Sequence, residues 1–484
     1  MANIIGRKKE IEQLRHRYHS DKAEFIAIYG RRRVGKTFLV KEFFKNQFAF
    51  MHTGLAPMVE DKRTKKLRRV SMADQLENFH YSLIRYGLEN EPRPTTWMEA
   101  FFLLEKLLRK KNNGRRQVVF IDEMPWMDTP RAKFLTAVEA FWNGWGSSQD
   151  NLMLIVCGSA TNWILDKLIN AKRGMFHRVT DPIHLHPFTL NECKQFYDSH
   201  KIRLSPYDIT ESYMVFGGIP YYMDFFLPGN SVAQNIDQLL FSKDAKLKDE
   251  FGLLFSSVFT NAEDMMKIVR VLGRRHCGFT RDEISQMTGI ATGGTLSDLL
   301  RALVESDFIC KYVPFGISGN VDYYKLTDNF CWFWLHFKEG KKKYPENFWQ
   351  TNTAKPELNT WRGLAFEEVC FNHVPQIKKA LGIAAVQSRE SSYVIRGNDH
   401  LDGMQIDLLI DRDDRVMNVC EMKFLKSEFV VTSAYYDTIQ SRIEKLAGQT
   451  PSTVHSTLVT NRGLSYNEYS SVFQSVITLD DLFG

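Results

Sequence analysis

Gly30-Arg31-Arg32-Arg33-Val34-Gly35-Lys36-Thr37 decides how the rest of the chain is read. These residues meet the P-loop pattern G-x-x-x-x-G-K-[ST] at each fixed position. Residues 25–29 (FIAIY), just before it, form a short apolar run that reads as a buried strand. Residues 37–44 (TFLVKEFF), which follow, carry apolar side chains at helical spacing. Strand, glycine-bounded loop and helix are the setting this pattern needs. Glycines let the backbone turn its N–H groups onto phosphate oxygens, and the helix N-terminus adds partial positive charge. In that setting Lys36 reaches the β- and γ-phosphates and the Thr37 hydroxyl ligates Mg²⁺. Gly30, Arg31, Arg32, Arg33, Val34, Gly35 and Phe38 are the loop and helix-start positions expected around ATP.

Two further strands complete the expected pocket. Residues 117–123 (QVVFIDE) are an apolar strand ending in two acids. At about 85 residues beyond a P-loop this reads as the acidic strand of a nucleotide hydrolase. Asp122 is then expected in the Mg²⁺ shell, and Glu123 is expected to orient or deprotonate the attacking water. Residues 152–157 (LMLIVC) are apolar throughout, as a parallel strand covered on both faces would be. Ser159 follows at that strand's end, where a polar group can sense the γ-phosphate or simply make the turn. Arg173 and Arg178 precede the strand at 183–186, and Arg178 is the favoured candidate for stabilising charge on the transferred phosphate. His184 and His186 share one strand face and are read as structural.

The bulk composition places limits on the rest. At 484 residues the chain needs about three domains, and 44% hydrophobic with 25% charged residues is an ordinary globular balance. No apolar run approaches the ~18 residues of a membrane span, and the first residues lack the apolar core of a signal peptide. The seven cysteines form no C-x-x-C pair, which suggests reduced thiols and a cytoplasmic protein. The net charge of +6 permits contact with nucleic acid without requiring it. Basic groups at 62–69, 109–116 and 341–343 read individually as solvated surface.

Residues 189–255 are expected to be helical, broken at Gly217-Gly218-Ile219-Pro220, as a lid over a nucleotide would be. From about residue 260 the order helix, helix, turn, helix, hairpin is that of a winged helix-turn-helix, with Thr280-Arg281-Asp282-Glu283 as a capping box. Its reading helix presents Thr295, Asp298, Arg301 and Glu305, a face that is not basic. Such modules also dock proteins. The aromatic group Phe330, Trp332, Phe333, Trp334 and Phe337 reads as packing. Polar residues 338–357 read as a linker to a final α/β unit.

That unit carries a second chemical constellation. Glu421 and Lys423 are two apart on a strand and so share a face, with Asp407 on the preceding strand. Asp407 and Glu421 are candidate metal ligands, Lys423 is a candidate for positioning water, and Glu367 on the preceding helix can complete the shell. As text the pattern D-x(13)-E-x-K is common on surface hairpins. Its placement on adjacent apolar strands after a glutamate-bearing helix is what gives it weight.

Taken together, these segments resemble the archaeal-type or prokaryotic ATPases whose P-loop domain is of the STAND/AAA-like class. The carrying features are Ile5-Gly6-Arg7, the P-loop, Phe120-Ile121-Asp122-Glu123, Cys157-Gly158-Ser159, His186-Pro187-Phe188, Gly217-Gly218-Ile219-Pro220-Tyr221 and Leu479-Asp480-Asp481-Leu482-Phe483. The C-terminal part resembles the PD-(D/E)XK nuclease fold, with Asp407, Glu421 and Lys423 on the motif positions. The resemblance implies ATP binding and hydrolysis, Gly6 and Arg7 near the adenine and ribose, a sensor role for Ser159 and a phosphate-facing Arg178. It departs at His177-Arg178, where relatives often have Gly-Arg.

The expected architecture is α/β. A three-layer P-loop NTPase domain (1–190) leads to a helical lid (191–258), a winged helix-turn-helix (259–337), a linker (338–357) and an α/β nuclease-like domain (358–484). The expected cofactors are ATP and Mg²⁺. Two functions stay open. One is an ATP-driven switch acting on DNA. The other is a regulatory or scaffolding ATPase, with a nucleotide-dependent homo-oligomer or protein partner and a silent C-terminal domain.

Overall fold

Strand β1 (Glu24–Tyr29) is buried along its length except at Tyr29, which is why apolar and β-branched residues fill it. The computed structural model describes residues 4–60, 67–171, 175, 177–256, 259, 261–316, 321–340, 342–395 and 404–484. Arg173, Lys62, Arg63, Lys65, Lys66 and Lys341 lie outside the described residues. The chain divides into two compact units, Met1–His186 with Leu254–Thr260, and Pro187–Leu253 with Asn261–Gly484.

In the first unit β1 joins β2 (Phe50–Thr53), β3 (Gln117–Asp122), β4 (Leu152–Gly158) and β5 (Asp181–His184) in a five-stranded sheet of order β2-β3-β4-β1-β5. Every pairing is parallel. β4 therefore lies between the P-loop strand and the acidic strand. One face, with Phe25, Ala27, Val119, Ile121, Leu154 and Val156, packs against α3 (Met72–Arg85), α4 (Trp97–Lys111) and α5 (Phe134–Gly144). The opposite face is linked through rings to α1 (Lys8–Tyr18) and α2 (Lys36–Phe43). Phe44, just past α2, meets Tyr18 at 5.6 Å and Phe48 at 6.0 Å, and Phe48 meets Phe120 of β3 at 5.7 Å. The three expected layers follow from strands that are apolar on both faces. The stretches at 71–87 and 97–111 are less polar than their composition suggests, because Phe79, Trp97, Phe101 and Leu104 face this core.

The second unit begins with helices α6 (Leu190–Ser199) and α7 (Pro206–Phe216). These were expected in a lid, yet their partners are C-terminal. Glu211 of α7 accepts from Arg362, 2.8 Å away at Nε and 2.5 Å at Nη2, and from Trp349 Nε1 at 3.0 Å. The backbone N–H of Leu190 donates to His373 Nε2 at 2.9 Å. The expected linker needs correction for the same reason. Within 338–357, Trp349 is fully buried, its backbone N–H donates to Asp237 at 2.8 Å, and Lys338 donates to the Leu240 carbonyl at 2.7 Å. Polar composition concealed two buried aromatic anchors, Phe348 and Trp349.

Next come α8 (Ala262–Leu272), β6 (Phe279–Thr280), α9 (Arg281–Thr288), α10 (Gly294–Glu305), β7 (Ile309–Tyr312) and β8 (Tyr323–Leu326). The three strands make an antiparallel sheet of order β6-β8-β7. α11 (Asn329–Phe337) buries Phe330, Trp332, Phe333, Trp334 and Phe337, each worth roughly 1.5–3 kcal/mol of burial. The C-terminal part is α12 (Pro356–Asn372), β9 (Ser388–Ile395), β10 (Met404–Arg412), β11 (Val416–Lys423), α13 (Ser433–Ala447), β12 (Thr453–Thr460) and β13 (Ser475–Ile477), with sheet order β9-β10-β11-β12-β13. β9–β10–β11 are antiparallel, and β11–β12–β13 are parallel. No helix among the described residues is long and apolar enough to cross a membrane.

Candidate active sites

The P-loop opens where β1 ends. Gly30 has φ 134° and a Cβ there would sit 2.3 Å from the Leu185 carbonyl oxygen, so no side chain fits. Gly35, with φ 95°, makes the second left-handed turn and α2 starts at Lys36. Lys36 is 6% exposed, and its Nζ donates to the carbonyls of Gly30 (2.8 Å) and Arg31 (3.0 Å) and, at 3.4 Å, to Ser159 Oγ. Burial draws its pKa down, against the opposing charges of Glu123 and Asp122. The ammonium is thus held within the curl of the loop.

The acidic strand meets this loop from two positions away in the sheet. Thr37 Oγ1 donates to Asp122 Oδ2 at 2.9 Å, which brings together the hydroxyl and carboxylate oxygens that a Mg²⁺ shell uses. The other Asp122 oxygen accepts from the Glu123 backbone at 2.9 Å and from Cys157 Sγ at 2.6 Å. Glu123 sits at φ 46°. Its carboxylate accepts from Ser159 Oγ at 2.6 Å and from the Ser159 backbone N–H at 3.0 Å. Because β4 lies between the two strands, Ser159 at its end touches both Lys36 and Glu123. ATP and Mg²⁺ fit these residues: two left-handed glycines, a caged ammonium and a hydroxyl–carboxylate pair.

The structure gives other expected residues different surroundings. Arg7, at φ 54° and 5% exposed, donates from Nη2 to the Val34 carbonyl at 3.1 Å, so it ties the lead-in segment to the P-loop. Gly6 beside it has φ 62°. Arg31 is fully buried, Arg32 and Arg33 are half-buried, and Phe38 is exposed. Arg178 is exposed in a turn, and no hydrogen bond joins its side chain to Lys36, Asp122 or Glu123.

The second cluster forms on the C-terminal sheet. Leu408 of β10 pairs with Cys420 of β11, and Asp407 and Glu421 occupy the next position beyond that pair. Asp407 Oδ2 accepts from the Met422 backbone at 3.3 Å. Lys423 Nζ lies 3.3 Å from Glu421 Oε2. Glu367 of α12 comes close enough for its charge to be felt. Burial first, then the charge of Asp407, pushes its carboxyl up to about 8. Burial and the charge of Glu421 push Asp407 up to about 6. Carboxylate oxygens are the donors that Mg²⁺ or Mn²⁺ takes, and in this structure both Glu421 oxygens are held by side chains of the same domain.

Two members of this cluster escaped the sequence reading. Tyr435 Oη donates to Glu421 Oε2 at 2.7 Å, and Arg442 pairs with Glu421 Oε1. Both come from α13, seven residues apart and hence on one helical face. That spacing, on the helix after an E-x-K strand, was the available signal.

Comparison with known proteins supports an ATPase. Residues 4–225 match a family described as an ATPase domain predominantly from Archaea. An uncharacterized protein of Methanocaldococcus jannaschii is 24% identical over 380 residues, 78% of this chain and 78% of that one. An uncharacterized ATP-binding protein of the same organism is 49% identical over 44 residues, 9% of this chain and 75% of the other. Among solved structures, a Walker-type ATPase of Pyrococcus abyssi is 16% identical, covering 69% of this chain and 96% of its own, with a TM-score of 0.44.

Proposed function

We propose, from the match of residues 4–225 to an ATPase domain family described as predominantly archaeal, an ATP-driven, Mg²⁺-dependent switch that acts on DNA through its C-terminal carboxylate cluster. Lys36 and the P-loop backbone hold the phosphates. Thr37 and Asp122 would hold Mg²⁺, which would supply charge neutralisation on the transferred group. Glu123 accepts the proton of the attacking water once Ser159 releases it. Arg178, exposed in the turn before β5, is the residue proposed to add positive charge at the transferred phosphate.

The observation that carries the DNA reading is the placement of Asp407, Glu421 and Lys423 on two neighbouring inner strands of the C-terminal sheet, with Glu367 of α12 near enough for the charge of Asp407 to act on it. A cation held by Asp407 and Glu421 supplies charge stabilisation at a scissile phosphate. Lys423, about a quarter exposed and 3.3 Å from Glu421, is the residue proposed to orient the attacking water. The helical and three-stranded segment at 262–326 has the element order of a winged helix, which would seat the duplex.

The test is a DNA cleavage assay with Mg²⁺ or Mn²⁺, with and without ATP, comparing the parent protein with Glu421→Ala and Lys423→Ala. Cleavage that both substitutions abolish supports the reading, and its dependence on ATP measures the coupling. Cleavage that survives both, or none under any condition, removes it. In that event the second function gains ground, a regulatory ATPase with a nucleotide-dependent homo-oligomer or protein partner. One observation favours it: on α10, Arg301 is paired with Asp298 at 3.3 Å, which leaves that face without net positive charge for phosphates.

A further inference from the structure

Glu367 and Glu368 are consecutive on α12, so their side chains leave the helix about 100° apart. Glu367 turns to the carboxylate cluster, whereas Glu368 turns away from it into a different contact. Glu368 is 1% exposed and its Oε1 lies 2.8 Å from Lys325 Nζ, itself 3% exposed, on β8 of the small antiparallel sheet. His276, in the segment leading to β6, places Nδ1 3.5 Å from the same oxygen. The Lys325 ammonium also sits over the ring of Phe371, one turn along α12, at 4.6 Å. One lysine thus grips two successive turns of the helix that carries Glu367.

A buried ion pair is a costly way to fill space, and an apolar pair of similar volume often packs as well or better. What it supplies beyond packing is direction, since a buried ion pair holds one point of a helix against one point of its neighbour where methyl groups tolerate slippage. We propose that Lys325 is a positioning residue for the carboxylate cluster: through Glu368 it sets the rotation of α12 and with it the place of Glu367 beside Asp407. The inference rests on the metal-dependent reading of that cluster and adds to it a physical route between the small antiparallel sheet and the metal site. A duplex or protein seated on that sheet would be felt at Glu367 through β8.

The experiment measures Mn²⁺ affinity of the full-length protein by electron paramagnetic resonance. Lys325→Met combined with Glu368→Gln removes the pair without changing net charge. The expected result is a 10–100-fold loss of affinity at the cluster, the range seen when groups behind metal ligands are removed. Lys325→Arg, which keeps the charged bond, is expected to stay within about threefold of the parent. A folded double variant that binds Mn²⁺ as the parent does overturns the proposal while leaving the metal site intact. A parent protein whose Mn²⁺ binding is insensitive to Asp407→Asn overturns the metal site and the proposal with it. A second measurement needs no variant at Lys325. Mn²⁺ added to the parent should slow hydrogen exchange at both 323–326 and 362–371, because coupling is reciprocal. Protection confined to 362–371 overturns the proposal.

Discussion

Binding of Mn²⁺ at the C-terminal cluster should expel a proton, and the structure says how many and over which pH range. Glu367 is pushed up to about 8 and Asp407 to about 6, both chiefly by burial. The cation binds the ionised carboxylates, so whatever proton they hold must leave as it enters. At pH 7 a carboxyl at about 8 keeps its proton in about nine molecules of ten, and one at about 6 in about one of ten, so binding releases about one proton in all. Apparent affinity then climbs about tenfold per pH unit between pH 6 and 8 and levels off above it. The same shifts act on stability. Both folded values are raised, so the folded state holds protons that the unfolded chain has lost, and stability without metal falls as pH rises from the ordinary carboxyl range towards 8. Added Mn²⁺ should restore what is lost. The assay is titration calorimetry on Lys36→Ala protein in buffers of differing ionisation heat, with Glu367→Gln as comparison. That substitution should bring the proton count at pH 7 close to zero. Mn²⁺ binding with no proton release at pH 7 and a flat affinity from pH 6 to 8 would refute the reasoning.

At the P-loop, Lys36→Ala should lose ATP binding in an equilibrium titration, and Glu123→Gln should keep binding while turnover stops. A Glu123→Gln protein that hydrolyses ATP at the parent rate would exclude Glu123 as the base. Gly30→Ala places a methyl 2.3 Å from the Leu185 carbonyl at a φ of 134°, so nucleotide affinity should fall at least tenfold while the C-terminal unit stays folded by circular dichroism. Glu211→Ala leaves Arg362 and the Trp349 indole N–H short of a buried acceptor and should cost about 3–5 kcal/mol, read as a lower urea midpoint.

The nucleotide site was legible in the sequence because its chemistry is local. Gly30, Gly35, Lys36 and Thr37 lie within eight residues, and a parallel strand covered on both faces announces itself by continuous apolar residues. The C-terminal pair Glu421 and Lys423 was legible by strand alternation. Tyr435 and Arg442 were not, since each reads alone as an ordinary helix-surface residue until α13 is laid beside β11. Residues 338–357 misled for a related reason. Composition averages over the stretch, whereas Phe348 and Trp349, buried within an otherwise mostly exposed segment, decide that it packs. The contacts of Ser159 depended on strand order, which no local pattern encodes: only with β4 between β1 and β3 does its hydroxyl meet both Lys36 and Glu123.

The 17 residues of α12 have a bearing on how such a chain could have been assembled. One turn gives Arg362 to Glu211, the next gives Glu368 to Lys325, and its C-cap residue His373 accepts from Leu190. A recombination event that joined or removed a segment at the polar stretch 338–357 would strand Glu211 and Lys325 as uncompensated buried charges. The two compact units part instead ahead of Pro187, on the near side of all three of these contacts. Within the second unit, a chain that loses α12 must also rewrite Glu211 and Lys325, so the helix and its two buried partners change together or not at all.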